Sequence, residues 1–183
     1  MTPILGIMAS SISGSKISTT AYESIASSSP SGVSTITFSS IAGTYKSLQL
    51  RFNGLVGTAG GGFYVRFNSD SGTNYVAHGL RGNGSAASSF GQTASTSVYA
   101  YGSGSGTVAT YPNVGIVDIH DYASTTQNKT VRVFSGADAN GSGTLELNSG
   151  LWLNTNAITS ITFFSDYNWN SGSVIALYGI KGA

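Results

Sequence analysis

Two stretches, LQLRF at 48–52 and FYVRF at 63–67, decide the fold class because apolar residues recur at every second position in both. This period of two places the apolar side chains on one face of a β-strand. Similar short segments continue along the chain, and Gly, Asn, Ser and Asp, which favour turns, bound each of them. The predicted strands are residues 33–38, 48–52, 63–67, 74–80, 96–101, 114–121, 130–135, 144–153, 157–164 and 173–180.

These strands predict an all-β domain over residues 33–183, an antiparallel β-sandwich of the jelly-roll type with no helix. The Gly- and Ser-rich stretches 57–62, 82–95 and 102–107 are predicted to be loops. Residues 174–180 form a nearly continuous apolar run, which indicates a strand covered on both faces, either centrally or at a subunit interface. The candidate interface side chains are Val174, Ala176, Tyr178 and Ile180.

The composition is polar without being charged, and the 183 residues suit one domain preceded by an arm. Asp, Glu, Lys and Arg make up 8% of the chain and leave a net charge of +1, so we expect neither nucleic-acid binding nor a charged disordered tail. No apolar run approaches the roughly 20 residues of a membrane span, so membrane insertion is not expected. The chain has no Cys, which excludes disulfides and thiolate metal sites.

Residues 1–32 lack the alternation of the later chain and are predicted to form an extended N-terminal docking arm. Ser, Thr and Gly interrupt the segment too often for a helix, and it lacks the basic start of a signal peptide. Two apolar clusters are candidate docking contacts with a neighbouring subunit or another protein: Ile4, Leu5, Ile7, Met8, Tyr22 and Ile25. A disordered leader is the alternative interpretation.

Two polar clusters are candidates for chemistry. Asp118 and His120 share one strand face, as a metal site or general base requires, but a hydrogen-bonded pair at a strand end explains them without a third ligand. Asp138 and Asn140 resemble the start of a calcium loop, but the closing carboxylate is missing, and Asn140-Gly141 is a favoured hairpin turn. These patterns predict no catalytic residue, no cofactor and no metal.

Aromatic residues in or beside polar loops are the candidate contacts for a receptor or a host surface glycan. Tyr and Trp combine a rigid apolar ring with a polar tip, which suits sugar stacking and protein interfaces. The candidates are Tyr99, Tyr101, Tyr167 and Trp169. The alternative for the segment 166–170 is that its aromatic rings fold back to cover the end of the sandwich.

Several segments resemble a family of small virion proteins of tailed bacteriophages. They are ILGIMASSISG (4–14), YESIA (22–26), TITFSSIAGTYKSLQLR (35–51), GLWLNTNAITSIT (150–162) and ALYGIKGA (176–183). These segments look like strand and turn signatures, so the resemblance implies a structural role in the virion and carries over no active-site residues.

The expected function is therefore a non-enzymatic virion component, and its place in the particle stays open. A tail-associated fibre or adhesin would bind other tail or baseplate proteins, whereas a capsid decoration protein would bind the major capsid protein. Compact all-β modules of this size often form trimers, so a homotrimer is expected. A polysaccharide-acting enzyme and a free sugar-binding module are the remaining alternatives.

Overall fold

The computed structural model describes residues 21–57, 60–101 and 110–182. These ranges contain no helix, and so none that is long and apolar enough to cross a membrane. They form twelve strands: β1 (Tyr22–Ser28), β2 (Thr35–Phe38), β3 (Ser47–Gly54), β4 (Phe63–Phe67), β5 (Tyr75–Gly82), β6 (Ala87–Ser95), β7 (Val98–Tyr101), β8 (Asn113–His120), β9 (Lys129–Asp138), β10 (Gly143–Trp152), β11 (Ile161–Ser165) and β12 (Val174–Ile180).

The strands form two antiparallel sheets that pack face to face, which confirms the predicted β-sandwich. The large sheet has the order β1-β12-β3-β8-β9-β10-β5-β6, and the small sheet has the order β2-β11-β4-β7. Apolar side chains alternate inward along the paired strands, because successive residues of a strand point to opposite faces. The core therefore lies between the two sheets.

Eight of the strands have the connectivity of a jelly roll. They form four antiparallel pairs, β1 with β12, β2 with β11, β3 with β8 and β4 with β7, and successive pairs alternate between the sheets. This is the arrangement of a long two-stranded ribbon that is rolled up so that its two faces enclose one core.

The other four strands extend the large sheet beyond β8, and we call β9, β10, β5 and β6 the extension. The prediction of a loop over 82–95 was wrong, since β6 occupies residues 87–95 as an edge strand. Its side chains are largely exposed on both faces, so no alternation marks it in the sequence. Backbone hydrogen bonds to β5 hold β6 in the sheet, although its sequence shows no strand pattern.

Aromatic rings fill the centre of the jelly roll. The ring centroid of Phe63 lies 4.7 Å from that of Trp169, 5.6 Å from Phe52, 5.9 Å from Tyr101 and 6.0 Å from Phe163. Offset and edge-to-face contacts at these separations add to the stabilisation that burial of the ring area gives. The cluster joins β3, β4, β7 and β11 with the loop that follows β11.

The described part of the predicted arm belongs to the large sheet. Strand β1 is its edge strand and pairs with β12, so that Tyr22 and Ser28 lie opposite Ile180 and Ile175. A salt bridge of 2.6 Å between Glu23 and Lys181 supports the pair. The arm predicted over 1–32 therefore contains a strand of the sandwich. The other predicted contacts of the arm, Ile4, Leu5, Ile7 and Met8, lie outside the described residues.

Candidate functional site

Two of the four aromatic candidates are core residues. Trp169 is 1% exposed and packs between Phe63 and Phe163, and Tyr101 is fully buried with its hydroxyl 2.8 Å from that of Thr144. The prediction that they contact a ligand was wrong. The loop after β11 turns the Trp169 indole into the sandwich, and Tyr101 is buried from β7 against Phe63. For Trp169 the alternative interpretation, a ring folded back over the end of the core, is confirmed.

The other two aromatic candidates reach the surface on different elements. Tyr167 is 40% exposed in the loop after β11, whereas Tyr99 in β7 is half-buried against the rings of Tyr64 and Phe90. The loop that carries Tyr167 lies at the end of the sandwich opposite Tyr22. Trp169 in the same loop forms an isolated β-bridge with Val56, which lies just after the end of β3. The start of β3 aligns with Ile180, the partner of Tyr22.

The candidate interface residues of β12 all lie on the outer face of the large sheet, except that Ala176 is nearly covered there. Both edges of β12 are paired within the chain, to β1 and to β3. The ring of Tyr178 meets that of Tyr22 edge-on at 6.5 Å, and the Arg51 guanidinium lies 5.1 Å from both ring centres. Strand β12 is thus a central strand, and its role between subunits remains a prediction.

Asp118 and His120 share the outer face of β8, as predicted. The Asp118 carboxylate accepts a hydrogen bond of 2.7 Å from Gln49 Nε2, and Gln49 Oε1 accepts one of 2.6 Å from Arg51 Nε. The described ranges hold no group of three or more His, Cys, Asp or Glu side chains that could bind a metal ion. Asp118 therefore belongs to a cross-strand hydrogen-bond network.

Asp138 and Asn140 lie at the hairpin between β9 and β10, which confirms the turn interpretation. Asn140 and Gly141 have φ values of 54° and 95°, and the Ala139 N–H donates to the Ser142 carbonyl at 2.6 Å. Two successive positive φ values are typical of the type I′ turn that joins twisted antiparallel strands. Asp138 is exposed beside this turn.

Strand β10 carries its polar and apolar faces in the reverse of the usual orientation. Leu145 and Leu147 point outward and are 53% and 54% exposed, whereas Thr144, Glu146 and Asn148 are buried on the inner face. Hydrogen bonds to β5 and β7 engage these buried polar side chains, although Asn148 Oδ1 has no hydrogen-bond partner in the described ranges. Glu146 accepts from Arg81 at 2.6 Å, and the Asn148 side chain donates to the Tyr99 carbonyl at 2.8 Å.

The register of the strands aligns the outward side chains into two parallel rows. We call the first the polar row; its members lie opposite one another on β3, β8, β9, β10 and β5, and they are Gln49, Asp118, Arg132, Ser149 and His78. We call the second the apolar row; it runs beside the first across β8, β9, β10 and β5, and its members are Ile116, Phe134, Leu147 and Leu80. The two rows give this face an amphipathic stripe that crosses the strands.

Two open grooves flank the apolar row. The first, of about 690 Å³, is lined by the polar row from Asp118 to His78 together with Phe134, Leu147 and Leu80. The second, of about 920 Å³, lies over Gly136 and Gly82, where no side chains fill the space between Val114 and Leu145. A Cβ atom at Gly82 would meet nothing within 4 Å. Both volumes fall in the range of ligand pockets in proteins.

The charges of the polar row are not joined to each other. Asp118 and Arg132 are cross-strand partners, yet Asp118 binds Gln49 and the Arg132 guanidinium donates to the Ser149 hydroxyl. The ion pairs found in the described ranges are Arg81–Glu146 and Lys181–Glu23. Both charged groups of the row therefore keep hydrogen-bonding capacity that faces the groove.

Two further carboxylates stabilise turns. Asp70 accepts hydrogen bonds from Trp152 Nε1 at 2.7 Å and from Asn74 at 2.9 Å. Burial acts to raise the pKa of Asp70, but these bonds and one from the Gly72 N–H outweigh it and hold the pKa below its usual value. Asp166 accepts from Tyr64, and burial followed by this hydrogen bond raises the pKa of the Tyr64 hydroxyl.

The outer face of the extension was not predicted as a candidate site from the sequence. The available signal was the alternation LELNS at 145–149 beside VRVF at 131–134, which places leucines and a phenylalanine in register only once the pairing of β9 with β10 is known. No family model, no curated protein and no solved structure matches the chain.

Proposed function

We propose that the protein is a non-enzymatic structural component of a tailed-phage virion. In this proposal it is a tail-associated fibre or adhesin module that is attached by its N-terminal arm and displays a host-binding surface. The resemblance of its strand and turn segments suggests the virion. The outer face of the extension supports display.

The reversed orientation of β10 is the observation that carries the proposal. Burying Thr144 and Glu146 while exposing Leu145 and Leu147 works against the hydrophobic effect within a single chain. A large exposed apolar patch with a polar border is typical of interaction sites. We infer that selection for contact with another molecule maintains this orientation.

The way β1 enters the sheet supports attachment through the arm. Ala21 lies at the large-sheet edge, where its carbonyl accepts from the Lys181 N–H at 3.0 Å. Residue 20 is joined through Ala21 to β1, and the pairing of β1 with β12 ties this part of the chain into the large sheet.

Truncation tests the attachment. We expect a variant that begins at residue 21 to keep its far-ultraviolet circular dichroism spectrum and melting temperature, because every described strand is retained. The same variant should fail to join phage particles that were assembled without the full-length protein. A variant that begins at residue 29 serves as the contrast, since it removes β1 and should lower the melting temperature as well.

Immunogold labelling of assembled particles locates the full-length protein. Gold at the tail tip or baseplate supports the proposal, and gold distributed over the head would replace it with capsid decoration. Incorporation of the residue-21 variant at the normal copy number would contradict attachment by the arm. Light scattering of the purified protein should give the mass of a trimer.

A further inference from the structure

We propose that the outer face of the extension binds a neutral saccharide chain that lies across the strands. Its hydroxyl groups contact the polar row and its apolar C–H face lies on the apolar row. This inference rests on the proposed function, because it names the class of ligand that the displayed surface takes.

The polar row offers both acceptors and donors to a hydroxyl-rich ligand. In the described ranges Asp118 uses one carboxylate oxygen, for Gln49, and Arg132 uses one guanidinium nitrogen, for Ser149. A carboxylate accepts at two oxygens and a guanidinium donates five hydrogens, so both groups keep unused positions. Hydrogen bonds from charged groups to sugar hydroxyls are among the stronger polar contacts available.

The apolar row offers the complementary surface. Phe134 is 49% exposed, and Leu147 beside it and Leu80 beyond are more than half exposed. A pyranose ring has C–H-rich faces and hydroxyls around its edge, so it can cover such side chains while its edge reaches the neighbouring row. One ligand thereby satisfies both rows.

The charges of the row favour a neutral ligand. Asp118 and Arg132 lie opposite each other on β8 and β9, so their fields largely cancel over the groove. An anionic or a cationic ligand would therefore gain little net attraction from this pair of opposite charges. Hydroxyl groups both donate and accept, and therefore match the pair without a net charge.

A flat protein partner fits this surface less well. The cores of protein interfaces are depleted in charged residues, whereas Asp118 and Arg132 lie in the middle of this face. Covering them with apolar side chains would remove water without replacing its hydrogen bonds. The span from Asp118 to His78 covers three strand spacings, about 14 Å, which a short oligosaccharide would occupy.

Nuclear magnetic resonance titration of the full-length, ¹⁵N-labelled protein tests the inference. The probes are maltohexaose and chitohexaose, with sialyllactose as the anionic comparison. We expect saturable amide shifts with at least one neutral probe, concentrated on β8, β9, β10 and β5. Sialyllactose should not change the chemical shifts of these amides.

Three variants locate the site. Arg132→Ala should weaken binding by about tenfold, the effect of losing one charged hydrogen bond. Phe134→Ala should weaken binding through the apolar row, so the test does not depend on one variant. Tyr167→Ala is the matched control, because it removes an exposed aromatic ring at the far end of the sandwich and should leave affinity unchanged.

Three outcomes would overturn the inference. The first is the lack of saturable shifts with either neutral probe, and the second is a loss of binding in Tyr167→Ala but not in Arg132→Ala. The third is concentration-dependent self-association that Phe134→Ala abolishes, which would identify a second copy as the occupant. Each of these leaves the immunogold and truncation results unaffected, so the proposed function stands or falls separately.

Discussion

Strand β3 of the jelly roll and strand β10 of the extension belong to one continuous sheet but use their inner faces differently. In the jelly-roll strand β3, Leu48, Leu50 and Phe52 are buried against the small sheet. In the extension strand β10, Thr144, Glu146 and Asn148 occupy the corresponding face before the buried Trp152, and two leucines point outward. The same period-two pattern thus gives opposite results in two parts of one sheet.

The polar inner face of β10 is buried as fully as the apolar inner face of β3, with Thr144, Glu146 and Asn148 each at most 6% exposed. Two contacts between β10 and β7 are polar, between Tyr101 and Thr144 and between Asn148 and the Tyr99 carbonyl. The comparison of β3 with β10 teaches that polar side chains can occupy a buried face where neighbouring strands supply polar partners, as Arg81 does for Glu146.

The largest expected effect lies in the jelly-roll core. Trp169→Ala removes a buried ring from the aromatic cluster around Phe63, and we expect it to lower the free energy of unfolding by about 3–5 kcal/mol. Urea denaturation followed by circular dichroism measures it. A loss below about 1 kcal/mol would mean that the loop after β11 is not part of the core.

A smaller effect is expected at the seam between the two regions. Asp70, in the connection between β4 and β5, binds Trp152 at the end of β10, and we expect Asp70→Asn to cost about 1–2 kcal/mol at neutral pH. Because the folded-state pKa of Asp70 is lowered, its contribution is complete above the unfolded carboxyl pKa near 4 and is lost as the pH falls through the lowered value.

Unfolding curves of both proteins between pH 7 and pH 2 test this dependence. The difference in unfolding free energy between wild type and Asp70→Asn should shrink below about pH 4. A difference that stays constant over this range would show that the charge of the Asp70 carboxylate does not contribute to its stabilising contact with Trp152.

The smallest effect is expected on the outer face of the extension. Leu147→Ala should change the free energy of unfolding by less than about 1 kcal/mol, because the side chain is already half exposed in the folded protein. Leu50→Ala, a buried leucine of the jelly roll, is the matched control and should cost about 2–5 kcal/mol. Equal losses in the two variants would contradict the reversed orientation of β10.

The sequence predicted the jelly-roll strands because their alternation coincides with burial. Residues 48–52 and 63–67 were placed correctly for this reason. The edge strands β1 and β6 were missed. Strand β6 consists mostly of small residues that are largely exposed, and a register shift between Ser24 and Ala26 interrupts the alternation of β1. The strand predicted over 157–164 begins only at Ile161, and Ile158 is buried in a loop through its N–H bond to the Tyr122 carbonyl.

The candidate site was less predictable than the fold, because its residues are brought together by strand pairing across long sequence separations. His78 meets Ser149 only through the pairing of β5 with β10. The buried position of Trp169 likewise depends on a loop conformation, because an aromatic ring next to polar residues suits a surface and a core equally. Local sequence marks the strands but not their neighbours in the sheet.

The pairing of β1 with β12 has a mechanical consequence. Backbone hydrogen bonds link the two strands from Tyr22 to Ser28, and Ala21 marks the point where a tether would pull. A force along the strand axis loads all of these bonds together, whereas a force perpendicular to the strand opens them one at a time from Tyr22. The strength of such an anchorage would depend on direction, so the module would resist lengthwise pulling and peel off under sideways load.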